Sequence, residues 1–330
     1  MKKRTSKYFL KYGILVVVLL FLSFGLANAQ EFRGTITGSV KDQNGAVIPG
    51  ATVTIENTAT NVKASVTTNS EGAYIFPLLL PGNYKLSAAA NGFKTSVRES
   101  IDLRVDDRLT VDFQMEIGAA AEVTVIANEA LIERGSVTVG TTVTQRQIEE
   151  LPLAEGAPYT LATQAPSVVY TGDPNFTGPT ANGNLAGFRT NGTSGNQINL
   201  DGSPNLAYSG QVAFTPPSDA VQEFKVQTNS FDAQNGFTAG STVNVALKSG
   251  TNRFSGSAYF YDRNKSRTAN NFFNNRVGRE RPDRQYNRYG FVLNGPIIKD
   301  RTFFLFSFER QKDNVAQPTI YSVPTLAMRN

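Results

Sequence analysis

Between residues 35 and 117 apolar and polar positions alternate in short runs: "TITGSVKDQNGAVIPGATVTIEN", "VKASVTTNSEGAYIF", "LPGNYKLSAAANGFKTSV" and "DDRLTVDFQM". Alternation puts every second side chain on one face of a strand, and the β-branched and aromatic residues that fill these runs favour a pleated, half-buried surface. Turn chemistry separates them, at Asn44-Gly45, Pro49-Gly50, Glu71-Gly72, Pro81-Gly82 and Asn91-Gly92. In "TVDFQM" the apolar Val111, Phe113 and Met115 oppose Asp112, Gln114 and Glu116, as in a strand with one buried face. The pattern predicts a small all-β sandwich.

After Thr251 the alternating runs lengthen. In "RFSGSAYFYDR" Phe254, Gly256, Ala258 and Phe260 share one face and Ser255, Ser257, Tyr259 and Tyr261 the other. In "YGFVLNG" Tyr289, Phe291 and Leu293 oppose Gly290, Val292 and Asn294, and in "TFFLFSFER" Phe304, Phe306 and Phe308 oppose Phe303, Leu305, Ser307 and Glu309. The polar stretch "NKSRTANNFFNNRVGRERPDRQ" joins the first pair of runs, and residues 295–301, "GPIIKDR", form a short turn between the second pair. Short turns at one end and long loops at the other are the layout of an outer-membrane barrel, although a soluble sandwich also accommodates one such hairpin.

The middle of the chain is sparser. "TQRQIEELP" offers a short helix with Thr144 at its cap, Gln147 three residues on and Pro152 at its end. "YTGDPNFTGPTANGNLAGFRTNGTSGNQINLDGSPN" is loop chemistry, and strands return at "AVQEFKVQT" and "STVNVALKSG". Residues 118–128, "GAAAEVTVIAN", join a small-residue hinge to a strand-like run. By composition that run is an eighth strand of the sandwich or an interdomain linker; by its place ahead of the middle region it is a detachable strand.

Composition narrows the chemistry. The 330 residues contain no Cys, no His and no Trp, which excludes zinc sites built from Cys or His, Ser-His-Asp and Cys-His nucleophiles, and redox dithiols. Carboxylate-only chemistry such as glycoside hydrolysis stays formally open, but no carboxylate pair stands out. No catalytic residue, metal or cofactor is expected.

Residues 1–29 have the form of a secretory signal: Lys2, Lys3, Arg4, Lys7 and Lys11 precede the apolar run 14–22, and Ala27-Asn28-Ala29 offers a cleavage site after Ala29. A transmembrane anchor is the alternative, and the run is short for a bilayer span. The formal charge of +5 equals the five cations of this segment, so the mature chain is neutral but asymmetric. Residues 30–250 hold 13 basic and 21 acidic side chains, whereas 251–330 hold 14 basic and 6 acidic. A boundary near residue 250 follows.

Residues 30–117 resemble the carboxypeptidase regulatory-like domain, a seven-stranded sandwich of immunoglobulin type, through Gly38-Ser39-Val40 with Asp42-Gln43-Asn44-Gly45, "PGATVTIEN", "TTNSEGAYIF" and "LPGNYKLSAAANGF". The order of "EVTVIA" at 122–127, "IEELPL" at 148–153, "NQINLDGSPN" at 196–205, "PPSDAVQEFKVQTNSFDAQNG" at 216–236, "STVNVALKSGTNRFSGS" at 241–257 and "NRYGFVLNGPIIKDRTFFLFSFER" at 287–310 extends the likeness over nearly the whole mature chain. It resembles the Oar-like branch of TonB-dependent outer-membrane receptors. The resemblance implies a mainly β protein: signal at 1–29, sandwich at 30–117, hinge and TonB-box-like strand at 118–128, α+β plug at 129–250, and from 251 the first three or so strands of a transmembrane β-barrel.

Its implied partners are the periplasmic C-terminal domain of TonB, which would add a strand to Glu122, Val123, Thr124, Val125, Ile126 and Ala127, outer-membrane lipid against Phe304, Phe306 and Phe308, and an unidentified extracellular ligand. Asp201-Gly202 would form a plug turn facing the lumen. Loop 263–288 carries Arg263, Lys265, Arg267, Arg276, Arg279, Arg281, Arg284 and Arg288 beside Phe272-Phe273. On an exported, neutral chain this is an extracellular loop near anionic glycolipid and not a nucleic-acid site. A plugged barrel of this class needs about 22 strands, and the 80 residues after Gly250 hold three. The chain is therefore expected to be an N-terminal portion or a truncated reading frame. A soluble exported binding or adhesion protein that uses only the sandwich is the alternative.

Overall fold

The computed structural model describes residues 32–118, 123–126, 139–151, 153, 156–171, 188–208, 212–229, 239–270, 272–281 and 283–315. The expected signal segment, Glu122 and Ala127 lie outside the described residues.

The first unit is the sandwich. Its strands are β1 (Gly34–Asp42), β2 (Thr52–Asn57), β3 (Lys63–Thr67), β4 (Ala73–Leu79), β5 (Gly82–Ala89), β6 (Ser96–Leu103), β7 (Arg108–Thr110) and β8 (Phe113–Met115). One sheet runs β4-β1-β7, with β8 also on β1; the other runs β3-β2-β5-β6 and accepts a further strand described below. The run "TVDFQM" is split into β7 and β8, which form one line parallel to β1. Between them Val111 N–H donates to Thr37 O at 2.8 Å, and Asp112 Oδ1 accepts from the N–H and Oγ–H of Ser39 at 2.8 and 2.9 Å. That line passes so close to β1 that a Cβ at Gly38 would sit 1.9 Å from Val111 O, so position 38 admits only glycine.

Ile36, Val53, Leu86, Ile101, Phe113 and Met115 fill the space between the sheets at 2% exposure or less, each contributing about 1.5–3 kcal/mol of burial. The Tyr74 hydroxyl donates to Val111 O inside that core. Val111, Phe113 and Met115 are buried while Asp112, Gln114 and Glu116 are exposed, as their alternation predicts.

The second unit contains β10 (Val139–Val143), β11 (Val168–Tyr170), β12 (Phe188–Thr190), β13 (Gln197–Leu200), β14 (Ser203–Pro204), β15 (Val221–Asn229) and β16 (Thr242–Leu247). Its main sheet has the order β10-β15-β16-β13-β14, and β11 pairs with β12. The predicted helix is present at Gln145–Glu150, where Gln147 Oε1 accepts from the Thr144 N–H at 2.8 Å. Ile148 on that helix and Tyr159 on the 3-10 turn Pro158–Gln164 pack with Phe188, Ile198, Phe224 and Val243 into a separate core.

The third unit is an open antiparallel sheet of β17 (Ser255–Asn264), β18 (Arg284–Ile298) and β19 (Thr302–Val315). Its register aligns Ala258 with Phe291 and Phe308, and Gly256 with Leu293 and Phe306. The turn between β18 and β19 is shorter than the expected 295–301, because β18 continues through Pro296 to Ile298. Proline lacks the ladder donor, and the ladder absorbs it with a register shift between Pro296 and Ile298 rather than ending there. The long β17–β18 connection holds a five-residue helix, Phe272–Arg276, that its polar composition does not announce.

Candidate partner-binding strand and the interfaces of the second unit

Val123–Ile126 forms β9, and the structure gives it a place. It lies parallel to β6, with Ser96 opposite Val123, Val97 opposite Thr124, Arg98 opposite Val125 and Glu99 opposite Ile126. It is thus the fifth and outermost strand of the larger sandwich sheet. The eighth-strand alternative drawn from composition therefore describes where this segment rests. The approach is fixed by the preceding residues, where Lys94 N–H donates to Glu116 O at 2.8 Å and Gly118 N–H to Gly92 O at 3.1 Å. Beyond the paired stretch β6 is kinked: Ser100 has φ 59, and the β5–β6 ladder shifts register across it.

Beyond that kink β6 leads into residues 104–107, which meet β15 of the second unit. Alternation along β15 turns Glu223, Lys225 and Gln227 toward this loop. Glu223 Oε1 accepts from Val105 N–H at 2.5 Å, Lys225 Nζ donates to Asp107 Oδ1 at 3.1 Å, and Gln227 Nε2 donates to Asp106 Oδ2 at 2.5 Å. Lys225 and Asp107 side chains are 4% and 12% exposed, so the pair is desolvated. Burial pushes the Glu223 carboxyl up to about 7; the Val105 N–H opposes the shift, and the nearby Asp102 and Asp107 add to it. Sequence reasoning found the strand but not this face. The only available signal was the polar alternation within "QEFKVQ", which does not say what lies opposite.

A second tether joins the sandwich to the start of the third unit. Asp300, in the β18–β19 turn, accepts from Asn252 Nδ2 at 2.7 Å and Asn61 Nδ2 at 3.1 Å, while Asn252 N–H donates to Ala59 O at 3.1 Å. The bend at 249–252, where the charge balance breaks, is thereby pinned to the β2–β3 turn. A Cβ on Gly250 would lie 2.6 Å from Gly295 O and 2.7 Å from Phe304 O, so the bend is pressed against the hairpin.

Asp201 and Gly202 form the expected turn, joining β13 to β14 with φ 45 and 77. The Asp201 carboxylate accepts from Leu247 N–H at 2.9 Å and its own N–H donates to Val245 O at 2.9 Å. Its role is to tie this hairpin to the end of β16, and that is how its carboxylate is used.

The two faces of the β17–β19 sheet differ in chemistry. One meets the second unit, where Ser257 Oγ bonds Asp219 Oδ2 at 2.5 Å. Along the same face the Tyr259 hydroxyl donates to Glu309 at 2.6 Å, and the Arg288 guanidinium lies over the Tyr261 and Tyr259 rings at 4.7 and 5.4 Å. Arg284 and Asp313 pair there at 2.8 Å. A cavity of ≈1140 Å³ lies between this face and the second unit, lined among others by Gln145, Asp219, Lys248, Tyr261, Arg263 and Arg288. The opposite face carries Phe254, Phe260, Phe291, Leu293, Phe306 and Phe308, all at least 42% exposed, and Phe304, half-buried against Phe254. Phe291 contacts Phe306 and Phe308 at 5.6 and 6.0 Å between centroids, an uncovered aromatic ladder. Among the described residues no group of three or more His, Cys, Asp or Glu side chains is arranged to hold a metal ion.

Known proteins share these parts. Residues 35–116 match the family model of the carboxypeptidase regulatory-like domain, and residues 246–330 that of an outer membrane beta barrel domain. Over 311 residues the chain is 27% identical to the TonB-dependent transporter Oar of Myxococcus xanthus, in an alignment covering 90% of this chain and 28% of that protein. The chain thus spans little more than a quarter of the length of that curated relative. Among solved structures, the siderophore receptor PirA from Acinetobacter baumannii is similar at 21% identity, with a TM-score of 0.39 over 55% of this chain and 26% of that one. The outer membrane transporter YddB from Escherichia coli is similar at 15% identity, with a TM-score of 0.41 over 53% and 26%. The chain is similar to Oar, as its motifs implied, and its fold is mainly β.

Proposed function

We propose that this chain supplies the sandwich, plug and first barrel strands of a TonB-dependent outer-membrane receptor that admits its ligand by energised uptake. The observation that carries this reading is the opposition of the two faces of β17–β19. The inner face is polar and closes on the plug through Ser257 and Asp219, while the outer face is an uncovered ladder of phenylalanines. A sheet of this kind suits a barrel wall with lipid outside and a plug within. Phe304, Phe306 and Phe308 face lipid in this reading, and the sandwich lies on the periplasmic side with the short β18–β19 turn.

The function is transport without chemistry on the substrate, so the chain is not an enzyme. A ligand binds above the plug on the side of the long β17–β18 loop. The periplasmic C-terminal domain of TonB adds a strand to the segment 122–127, and traction there rearranges the plug. The protein resides in the outer membrane of a Gram-negative-type cell after cleavage of its signal following Ala29.

The test is made in the receptor as it exists in its cell. Fractionation places it in the outer membrane, and deletion of 122–127 abolishes energised uptake while ligand binding at the cell surface persists. A soluble periplasmic product, or uptake that survives the deletion, overturns the reading.

A further inference from the structure

We propose that the sandwich is a clasp laid across the seam between the second unit and the β17–β19 sheet, and that it stays with the second unit when the two move apart. The inference rests on the reading of these parts as plug and barrel wall, and adds which contact opens when the plug is displaced.

Both contacts leave the same end of the sandwich. Asn57 lies opposite Tyr84 and Gly82 opposite Leu103, so the β2–β3 turn and residues 104–107 emerge side by side. From there residues 105–107 reach β15, while residues 59–61 reach Asn252 and Asp300. The sandwich is thus docked end-on across a junction and holds both of its sides.

The two contacts differ in their access to water. Toward the second unit Val105 is fully buried, and Glu223, Lys225 and Gln227 are at 8% exposure or less. Lys225 Nζ donates to Asp106 O at 3.3 Å as well as to Asp107. Opening this face strands charges that water cannot reach until the surfaces are well apart, which is the costly way to break a buried pair. Toward the sheet the sandwich offers the neutral Asn61 side chain and two backbone carbonyls, Ala59 O and Thr60 O, which accept from Asn252 N–H and Nδ2 at 3.1 and 2.8 Å. Asn61, Ala59 and Asp300 are exposed, so water replaces each lost partner as the bond opens and the net loss is small. The wall side also keeps its own shape: Asn252 Nδ2 donates to Asp300 Oδ1 at 2.7 Å and Asp300 N–H to Asn252 Oδ1 at 2.9 Å, and neither bond involves the sandwich. Under a load that separates the second unit from the sheet, the wet contact parts first and the sealed one carries the sandwich along.

The first arm of the test follows amide hydrogen exchange in the full chain purified in detergent. Asp300→Gly removes the carboxylate shared by Asn252 and Asn61 at a position whose φ of 62 glycine adopts without strain. It is expected to raise exchange at 249–252 at least tenfold and to leave 104–107 and β15 unchanged. An equal rise at 104–107 makes the two contacts a single unit and overturns the proposal. The second arm uses introduced cysteine pairs, which are the chain's only thiols. Asn61→Cys with Asp300→Cys spans the wall contact and Asp106→Cys with Gln227→Cys the plug contact, each closed by a short bifunctional maleimide in cells with and without TonB. The yield of the wall cross-link is expected to fall at least twofold when TonB is present, while that of the plug cross-link stays constant. A fall in the plug cross-link with a constant wall cross-link assigns the sandwich to the wall and overturns the proposal. A fall in neither, with the exchange result as expected, overturns displacement of the plug through TonB, a failure of the parent reading and not of the clasp.

Discussion

Lys225, in the middle of β15, holds its ammonium 3.1 Å from the carboxylate of Asp107, at the tip of a sandwich loop. The sandwich is therefore fastened to the second unit through a desolvated ion pair. Removing one partner of a buried pair leaves the other charged and unsolvated, at a cost of about 3–5 kcal/mol. Lys225→Met is expected to release residues 104–107 from β15, read as a gain in amide hydrogen exchange in both segments. Adding Asp107→Leu is expected to restore much of the protection, because the stranded carboxylate is gone.

Glu223 makes the same interface sensitive to pH. Its carboxyl rises from 4.5 to about 7 on folding, so the folded state binds the proton more tightly. The resulting stabilisation is fully present below pH 4.5 and is lost as pH rises through about 7. Docking of the sandwich, followed by exchange protection at 104–107, is expected to weaken as pH rises from 4.5 to about 7. Glu223→Gln retains an oxygen for the Val105 N–H without titrating, and should flatten that dependence. An unchanged pH profile in the variant would assign the effect to another group.

Gly156 meets β18 where Arg288 is held over two tyrosine rings. It has φ +75, and a Cβ there would lie 0.8 Å from Arg288 Nη1. Gly156→Ala therefore combines left-handed backbone strain of about 1 kcal/mol with the displacement of a side chain that is 3% exposed. The expected result is a loosened contact between the second unit and the β17–β19 sheet, measured as greater protease access to the second unit with the sandwich unaffected.

Phe306 tests the outer face. An arginine at the midplane of a barrel's lipid face costs about 2–4 kcal/mol. Phe306→Arg in the full-length receptor is expected to lower the yield of folded, heat-modifiable protein in outer membranes, whereas Phe306→Leu is expected to be tolerated. Equal yields from the two variants would remove lipid from this face.

The strand faces were legible because alternation has a period of two and the faces of a strand follow from parity alone. Phe304, Phe306 and Phe308 were grouped on one face of their strand by this rule, and the turn at Asp201-Gly202 was read from its dipeptide. The end of β18 was misplaced because Gly295-Pro296 has the composition of a turn, while a ladder tolerates one missing donor when its register shifts. The helix Phe272–Arg276 was missed because five residues carry too little periodicity to register.

What the sequence determined by itself, then, is which side chains share a face, where the chain turns, and the order of sandwich, detached strand, second unit and open sheet. Only the tertiary structure decided which face meets which. It put β9 on β6, Glu223, Lys225 and Gln227 against residues 105–107, and Asn252 with Asp300 beneath the β2–β3 turn. The reason is physical. Alternation is a local property of the backbone, whereas pairing joins residues as much as 239 positions apart, and nothing in a strand's own pattern of polar and apolar residues specifies the distant edge that will satisfy its hydrogen bonds.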